Sequence, residues 1–360
     1  LGSFISCDYL DVSKELSENL TLEQVFNNPG YTKRWQANIY NCIPNYSEMG
    51  KEATTGFTGI WNLMSGQVVA NTTAVGTQML TGFNSSNASF HRWATLYKYI
   101  RQGFIFLDNA KDYMGSEQDV SYISKKDMDR LKAETKFLIA YSYFSLFELY
   151  GPVPLITEIE DPENKTIDYP RASVDEIVNY IDRLLQEVLD SNALPETLFT
   201  ESASGSLDYE HNNDRYNLKE IVRPTKVTVL ALRAKLWVYA ASPLFNGGYG
   251  EALQLTNKDG KHLFPDEDKT KWNTAKTHLE TLFTFAEAKG HKLYYSKPGS
   301  NGLPDPNLSV YELFQYYNDE ILWANGNNSY RIVGNDMERR TCPPVSYTHL
   351  RAHETGRNLV

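Results

Sequence analysis

Apolar residues recur at steps of three and four along five segments of the chain, the spacing that places side chains on one face of an α-helix. Each stripe predicts a helix that is buried along one side. The stripes are Trp93, Tyr97, Ile100, Phe104 and Leu107; Ala133, Phe137, Ala140, Phe144 and Phe147; Val174, Ile177, Ile181, Leu184 and Val188; Val227, Leu230, Ala234, Trp237 and Ala241; and Ala275, Leu279, Leu282 and Ala286. Because Trp93 and Trp237 occupy stripe positions, we expect both to be core residues.

The ends of several helices can also be predicted. Thr21 with Gln24, and Ser173 with Glu176, have the spacing of a capping box, in which two side chains satisfy the first free N–H groups of a helix. Glycine or proline follows three of the stripes and predicts where those helices end. These stops are Gly151-Pro152, Ser242-Pro243 and Gly290.

The second stripe has further apolar residues on nearly every side, namely Leu131, Leu138, Tyr141, Leu146 and Leu149. Neighbouring helices must therefore cover several of its faces, as they do for an inner helix of a stacked array. We find no convincing series of strands and no clean repeat of roughly 34 residues. The pattern predicts a mainly α fold, an irregular array of tetratricopeptide-like helix pairs joined by long loops.

The predicted loops are long and polar. Residues 50–89, 196–222, 246–270 and 296–310 are rich in Asn, Ser, Thr and Gly. Loops of this length in a compact protein usually carry function or are disordered. The sequence Gly247-Gly248-Tyr249-Gly250 lies in one of them, but it lacks the spacing and the final Lys-Ser/Thr of a phosphate-binding loop. We interpret it as a flexible turn.

Composition narrows the class of protein. The 360 residues are 41% hydrophobic, which suffices for a globular core, and no apolar run reaches the roughly 18 residues of a membrane-spanning helix. A formal net charge of −10 argues against nucleic acid and anionic lipid surfaces as partners. Aromatic residues make up 13% of the chain, and the 24 tyrosines among them suit both helix packing and wet binding surfaces. We predict a neutral or protein partner, no nucleic-acid binding and no cofactor.

The three cysteines, Cys7, Cys42 and Cys342, are too few for a disulfide framework and too scattered for a metal site. Whether Cys42 pairs with Cys342 stays open. Cys7 follows an apolar stretch and the small residue Ser6, which is the pattern at the end of a bacterial lipoprotein signal. We expect residues 1–6 to be the remnant of such a signal, with an ordinary cysteine as the alternative.

The last residues differ in character from the rest. From residue 343 onward the sequence resembles translated sequencing-adapter read-through rather than evolved protein. We expect residues 343–360 to be a non-native tail, and His349, His353 and Glu354 are therefore not interpreted as a metal or catalytic site.

Two longer motifs resemble the signatures of one family, the SusD/RagB-like outer-membrane lipoproteins. The first is AETKFLIAYSYF at residues 133–144, which runs into LYGPVPL at 149–155. The second is PTK at 224–226 with LALRAKLW at 230–237 and AASPLFN at 240–246. Residues 93–100 and 319–323 also follow the family order, and Cys7 precedes Asp8-Tyr9-Leu10-Asp11 where the family has its lipidated cysteine.

The resemblance covers about residues 7 to 330 and implies both a fold and a role. It implies a helical SusD-like domain, here residues 7–342 and incomplete at its C-terminus, anchored by lipid on Cys7 to the surface of a Bacteroidetes-type outer membrane. It also implies a glycan-binding protein that captures oligo- or polysaccharide for a SusC-type TonB-dependent transporter. The identity of the glycan is not encoded in these motifs.

Glycan capture needs exposed aromatic faces that stack on sugar rings, with polar side chains nearby. The loop at 56–89 is where family members often place such contacts, and Tyr330 and Arg331 follow an Asn-rich turn. The candidate glycan-binding residues are Trp61, Gln67, Asn71, Phe83, Asn84, Tyr330 and Arg331. For Trp61 and Phe83, packing is an equal alternative.

Other functions are less well supported. A glycoside hydrolase needs two carboxylates that face each other across a cleft. Glu134, Asp182 and Glu187 lie on predicted helices, but nothing in the sequence pairs any two of them. We predict that the protein is not an enzyme. A peptide-binding or purely protein-interacting lid of the transporter is the remaining alternative, and a test of sugar binding separates it from glycan capture.

Overall fold

A computed structural model of the chain describes residues 20–44, 92–159, 168–200, 215–313 and 317–325. The chain divides into two compact units, one of Leu1–Cys42 and Thr95–Ala324 and the other of Ile43–Ala94 and Asn325–Val360. Nearly all the described residues belong to the first unit, and the fold below is the fold of that unit.

Within the described ranges the regular structure is helical. The helices are α1 (Leu22–Asn27), α2 (Pro29–Ile39), α3 (Trp93–Asn109), α4 (Lys125–Tyr150), α5 (Val174–Ser191), α6 (Lys226–Ala241), α7 (Lys271–Ala288) and α8 (Pro306–Leu313). Short 3₁₀ helices lie at Tyr40–Cys42, Leu218–Glu220 and Ala252–Gln254. These residues form no β-strand, only isolated bridges such as that between Met114 and Ile123. The prediction of a mainly α fold is confirmed.

Successive helices pack against each other in an array. Helix α4 packs against α5, α5 against α6, and α6 against α7. The predicted stripe of α4 is buried from Ala133 to Phe147, and Leu138 and Leu146 beside it have no exposed surface. Helix α4 is therefore covered on more than one face, as predicted for an inner helix of the array.

The stripes of the later helices are buried as well. Every predicted position of α5, from Val174 to Val188, is buried. Helices α6 and α7 share a core cluster of Val227, Leu230, Ala234, Leu282 and Ala286. Burying a side chain of this size stabilises the fold by about 1.5–3 kcal/mol. These stripes hold the array together.

Helix α3 is rotated relative to the prediction. Its buried residues include Leu96, Ile100, Gly103 and Phe106, whereas Trp93 and most other stripe positions are half-buried. The reason is close approach to α4, because a Cβ at Gly103 would lie only 2.7 Å from Ile139 Cγ1. The face of α3 that contains Gly103 therefore lies against α4. The expectation that Trp93 is a core residue is wrong.

Trp237 is also half-buried rather than a core residue. Its indole Nε1 donates a hydrogen bond of 2.8 Å to Asp182 Oδ1, and its ring stacks on His278 at 5.9 Å between centroids. The indole N–H needs a hydrogen-bond acceptor, and Asp182 on α5 provides it. Trp237 is therefore only half-buried.

Both predicted capping boxes are present. Thr21 Oγ1 accepts a hydrogen bond from the Gln24 amide at 3.3 Å, and Gln24 Oε1 accepts one from the Thr21 amide at 2.9 Å. The Ser173 amide donates to Glu176 Oε2 at 2.8 Å, which starts α5 in the same way. Helix α4 ends as predicted at Gly151, whose φ of +66° suits a residue without Cβ.

The region 296–310 is only partly the loop that its composition predicts. Helix α8 begins inside it at Pro306, because the Asp305 carboxylate accepts hydrogen bonds from the amides of Asn307 at 2.8 Å and Leu308 at 3.1 Å. Aspartate before proline is a strong helix start.

Of the helices in the described ranges, none is long and apolar enough to cross a membrane.

Candidate functional site

The site residues predicted from the sequence lie outside the described residues. They are Cys7, Trp61, Gln67, Asn71, Phe83, Asn84, Tyr330 and Arg331. Their roles remain predictions. Among the residues that are described, no group of His, Cys, Asp and Glu side chains could hold a metal ion. The described residues do form another candidate site, an open cleft beside the first turns of α5.

Three stretches of chain form this cleft: the segment after α4, the approach and first turns of α5, and the loop between α6 and α7. Its volume is about 560 Å³, within the range of small-molecule sites. The lining residues are Leu155, Pro170, Arg171, Ala172, Glu176, Asn179, Tyr180, Arg183 and Lys261.

Two tyrosines fix the wall that contains Leu155. Tyr97 donates its hydroxyl proton to the carbonyl oxygen of Pro154 at 2.7 Å. Tyr143 donates to the carbonyl of Ile156 at 2.6 Å and accepts from the same residue's amide at 2.9 Å. Burial raises the pKa of both hydroxyls, so both stay protonated as donors at neutral pH.

Backbone hydrogen bonds hold the other walls. The Ala172 amide donates to Val153 O at 2.9 Å, and the Val174 amide donates to Leu263 O at 2.9 Å. The Asn257 side chain donates to the Arg171 carbonyl at 2.7 Å. All three stretches are therefore tied together at the cleft, and Arg171 projects from an anchored backbone.

The charged lining residues carry more positive than negative charge. Lys261 forms an ion pair with Glu176, and this hydrogen bond lowers the pKa of the Glu176 carboxyl. Arg183 forms an ion pair with Glu187, with 2.8 Å between the guanidinium nitrogen and Oε1. Lys136 Nζ lies 2.8 Å from the other oxygen of the same carboxylate.

Arg171 is exposed, and in the part of the chain that the structure describes it forms no ion pair with a carboxylate. The cleft therefore retains a cation that is not neutralised by a described carboxylate.

Tyr180 forms an apolar part of the cleft floor but offers little free ring surface. It is only 8% exposed, with the Arg183 guanidinium 5.1 Å from its ring centroid and Tyr143 packed edge-on at 5.4 Å. Burial raises the pKa of its hydroxyl to about 12. The cleft is better equipped to recognise charge and hydrogen-bonding groups than to stack on a flat sugar face.

The carboxylates weighed for a hydrolytic site have structural partners. Glu134 has no exposed surface and accepts hydrogen bonds from Tyr40 at 2.8 Å, Arg130 at 3.0 Å and Arg223 at 2.8 Å. These bonds join α4 to the 3₁₀ helix after α2 and to the segment before α6. Glu134 therefore connects elements of the fold.

Asp182 and Glu187 are bound in the same manner. Burial raises the pKa of Asp182, but hydrogen bonds from Arg233 and Trp237 outweigh it, so the pKa is lowered. Burial also raises the pKa of Glu187, but the hydrogen bonds and charges of Lys136 and Arg183 together outweigh it, so this pKa is lowered as well. Neither they nor Glu134 line the cleft. A general acid needs a raised pKa, so Asp182 and Glu187 do not fit that role.

Comparison with known families assigns the chain. The sequence model of a SusD-like family, described as "Starch-binding associating with outer membrane", matches residues 8–206, which is more than half of the chain. The chain belongs to this SusD-like family. A search of curated proteins found no significant match.

The chain was also compared with solved structures. The structure named BT4246 has a TM-score of 0.51 and 23% sequence identity, over 75% of this chain and 42% of its own. A SusD-like carbohydrate binding protein from Bacteroides fragilis, BF0978, has a TM-score of 0.47 and 15% identity, over 76% of this chain and 43% of its own. The likeness to BT4246 concerns the fold, and this SusD-like chain spans less than half of the length of either structure.

The family signature at residues 133–155 contributes to the cleft. It contains Tyr143 and the exit turn with Leu155, so the helix and turn that resemble the family also build one wall of the cleft. The range matched to the family includes every lining residue except Lys261.

Sequence reasoning did not single out the cleft residues. The sequence identifies Glu176 only as part of the capping box of α5. It gives no indication that Arg171, which lies two residues before Ser173, lines a cleft. One available signal was Tyr180 and Arg183, which are three residues apart and therefore adjacent on one helix face. The contribution of Lys261 had no local signal, since it comes from a distant loop.

Proposed function

We propose that this chain is part of a surface-exposed, lipid-anchored glycan-binding protein, not an enzyme, that captures oligo- or polysaccharide and delivers it to a SusC-type TonB-dependent transporter. The observation that carries the proposal is the match of residues 8–206 to a family described as starch-binding and associated with the outer membrane.

Anchoring is proposed to occur through lipid on Cys7. A single acyl chain gives only marginal membrane residence at about 0.8 kcal/mol per buried methylene, so stable attachment requires the several chains of a bacterial lipoprotein. When the chain is expressed with a complete lipoprotein signal, replacing Cys7 by Ala should move it from the membrane fraction to the soluble fraction and abolish incorporation of labelled palmitate. Unchanged incorporation would contradict this anchor.

The proposed glycan contacts are Trp61 and Phe83, supported by Gln67, Asn71 and Asn84. A Trp side chain buries on the order of 200 Å² at about 25 cal/mol per Å², and stacking on a sugar covers one face, so roughly half of about 5 kcal/mol is available. One such platform gives weak binding. Two platforms acting together are needed for useful capture.

Affinity electrophoresis of the full chain against a polysaccharide panel tests the proposal. We expect retardation by at least one glycan, reduced in Trp61→Ala and in Phe83→Ala. Trp272→Ala is the matched control, because Trp272 is 49% exposed on α7 and has no proposed role in capture. If the chain is shown to be folded and no glycan retards it, direct glycan binding is wrong and the peptide-binding or lid function is favoured.

A further inference from the structure

We infer that the cleft beside α5 is a separate binding site and that it takes an acidic oligosaccharide, one that carries carboxylate or sulfate groups. That the ligand is a glycan rests on the proposed function, whereas the preference for negative charge comes from the cleft itself.

The first argument is the balance of charge. Arg171, Arg183 and Lys261 line the cleft, and Glu176 is the one carboxylate among its lining residues in the described ranges. Glu176 neutralises Lys261, and Glu187 is shared between Arg183 and Lys136. Arg171 is exposed, and no carboxylate in the described ranges forms an ion pair with it. An arginine in this situation can bind a carboxylate or sulfate through two parallel hydrogen bonds.

The second argument concerns stacking. A neutral glycan is held chiefly by exposed aromatic faces. Among the described residues that line the cleft, the one aromatic ring is that of Tyr180, which is 8% exposed and lies beside the Arg183 guanidinium. The cleft therefore has little with which to hold an uncharged sugar. The exposed Asn179 supplies a side chain that both donates to and accepts from hydroxyl groups.

The third argument is preorganisation. Arg171 is held by the bond from Asn257 to its carbonyl, and the adjoining Ala172 by its bond to Val153. Binding therefore requires ordering of side chains but not of the backbone. The chain as a whole has a net charge of −10, which repels long polyanions, so short ligands with few charges are favoured.

Calorimetric titration of the full chain with matched tetrasaccharides tests the inference. The probes are a tetragalacturonide, a sulfated chondroitin tetrasaccharide and maltotetraose as the neutral control. We expect an acidic probe to bind more tightly than maltotetraose, and Arg171→Ala to weaken that binding about tenfold or more, as for the loss of a charge-assisted hydrogen bond. Raising NaCl from about 0.05 M to about 0.5 M should weaken it further, because salt screens exposed charges.

Two further variants separate the cleft from general charge effects. Lys276→Ala removes one exposed positive charge from α7, outside the cleft, and should leave binding unchanged. Glu176→Gln keeps a capping-box residue but removes the negative charge and frees Lys261, so it should strengthen binding of the acidic probe. If these residues had only a structural role, Glu176→Gln would not strengthen binding while Arg171→Ala weakens it.

The outcomes distinguish this inference from the proposed function. Acidic binding that persists in Trp61→Ala/Phe83→Ala and falls in Arg171→Ala supports a separate site, and comparison of the two acidic probes shows whether carboxylate or sulfate is preferred. Acidic binding that is unaffected by Arg171→Ala overturns the inference. Binding of neutral glycans alone also overturns it but leaves the proposed function intact, whereas no binding to any glycan overturns both.

Discussion

Glu134 shows how one residue of the family signature stabilises the fold. Its carboxylate is fully buried and pairs with Arg130 and Arg223, while Tyr40 donates a third hydrogen bond. Arg130 and Arg223 keep Glu220 as a second carboxylate partner, so the loss of the buried Glu134 charge should cost about 3 kcal/mol, the low end of the range for breaking a buried pair. We predict that Glu134→Gln lowers the free energy of unfolding by this amount in urea denaturation followed by circular dichroism.

The control lies on the same helix. Lys125 and Asp129 also form a pair four residues apart, but their side chains are 67% and 43% exposed. Exposed pairs of this kind contribute little to stability, because water screens the two charges. Asp129→Asn should therefore have little effect, and an equal loss of stability in both variants would show that burial of Glu134 is not the cause.

His291 predicts a pH dependence of stability. Burial lowers the pKa of its imidazole, and its Nδ1 lies 2.8 Å from the Asp319 carbonyl oxygen. The unfolded state, with an ordinary pKa near about 6.5, therefore binds more protons than the folded state. Stability should rise with pH between the lowered pKa and about 6.5, and should be lost as the pH falls through that interval.

The variant His291→Gln should make the free energy of unfolding less dependent on pH over that interval. The comparison must be made between variants, because burial and the Arg233 charge lower the pKa of His278 as well, and that residue contributes a slope of the same sign. His262→Gln, at an exposed position in the loop before α7, is the control. An unchanged slope in His291→Gln would contradict the assignment.

At the scale of elements, the loop after α6 contains a turn that only glycine fits. Gly247 has a φ of +77°, and a Cβ there would lie 2.3 Å from the Glu267 amide nitrogen. Gly260 has a similar φ of +84°, but a Cβ would meet nothing within 4 Å. Gly260→Ala should therefore cost only backbone strain of about 1–2 kcal/mol.

We predict that Gly247→Ala costs about 1–3 kcal/mol more than Gly260→Ala, because backbone atoms must also shift. Thermal unfolding of the two variants measures the difference. Equal losses would mean that the loop gives way easily at Glu267. The sequence identified Gly247 as a turn residue, but the contact with a segment 20 positions later is visible only in the structure.

The elements themselves were predictable where local chemistry decides them. The start of α5 follows from Ser173 and Glu176, and the end of α4 follows from Gly151. The rotation of α3 was not predictable, because its direction depends on the fit of Gly103 against Ile139 of another helix. Periodicity identifies an apolar face but does not say which neighbour comes closest.

For the molecule as a whole, the family and the helical array could be predicted from sequence, but the cleft could not. Its lining comes from residues 155, 170–183 and 261, which are brought together by hydrogen bonds such as that from Val174 to Leu263. From the sequence alone, Arg171 gives no indication that Lys261 or Leu155 lies on the same cleft. The aromatic candidates Trp61 and Phe83 lie outside the described residues and stay predictions.

The helices pack in the order α4 on α5, α5 on α6 and α6 on α7. This order predicts which helices lose stability when a core side chain is truncated. In an array held by contacts between neighbours, stability is distributed along the stack, so the α6–α7 pair can loosen without the inner helix α4. Leu282 lies in the cluster shared by α6 and α7, and Leu282→Ala should cost about 2–4 kcal/mol. Hydrogen exchange should then accelerate in 226–241 and 271–288 but not in 125–150.

Leu138→Ala removes the same atoms from α4, where the side chain has no exposed surface. Because α4 also contacts α2, α5 and α6, this variant should accelerate exchange in all of these helices together. The contrast between the two leucines isolates position in the array from the chemistry of the substitution. Equal acceleration in 125–150 by Leu282→Ala and Leu138→Ala would instead mean that the helices unfold as one cooperative unit, in which the α6–α7 pair does not open independently.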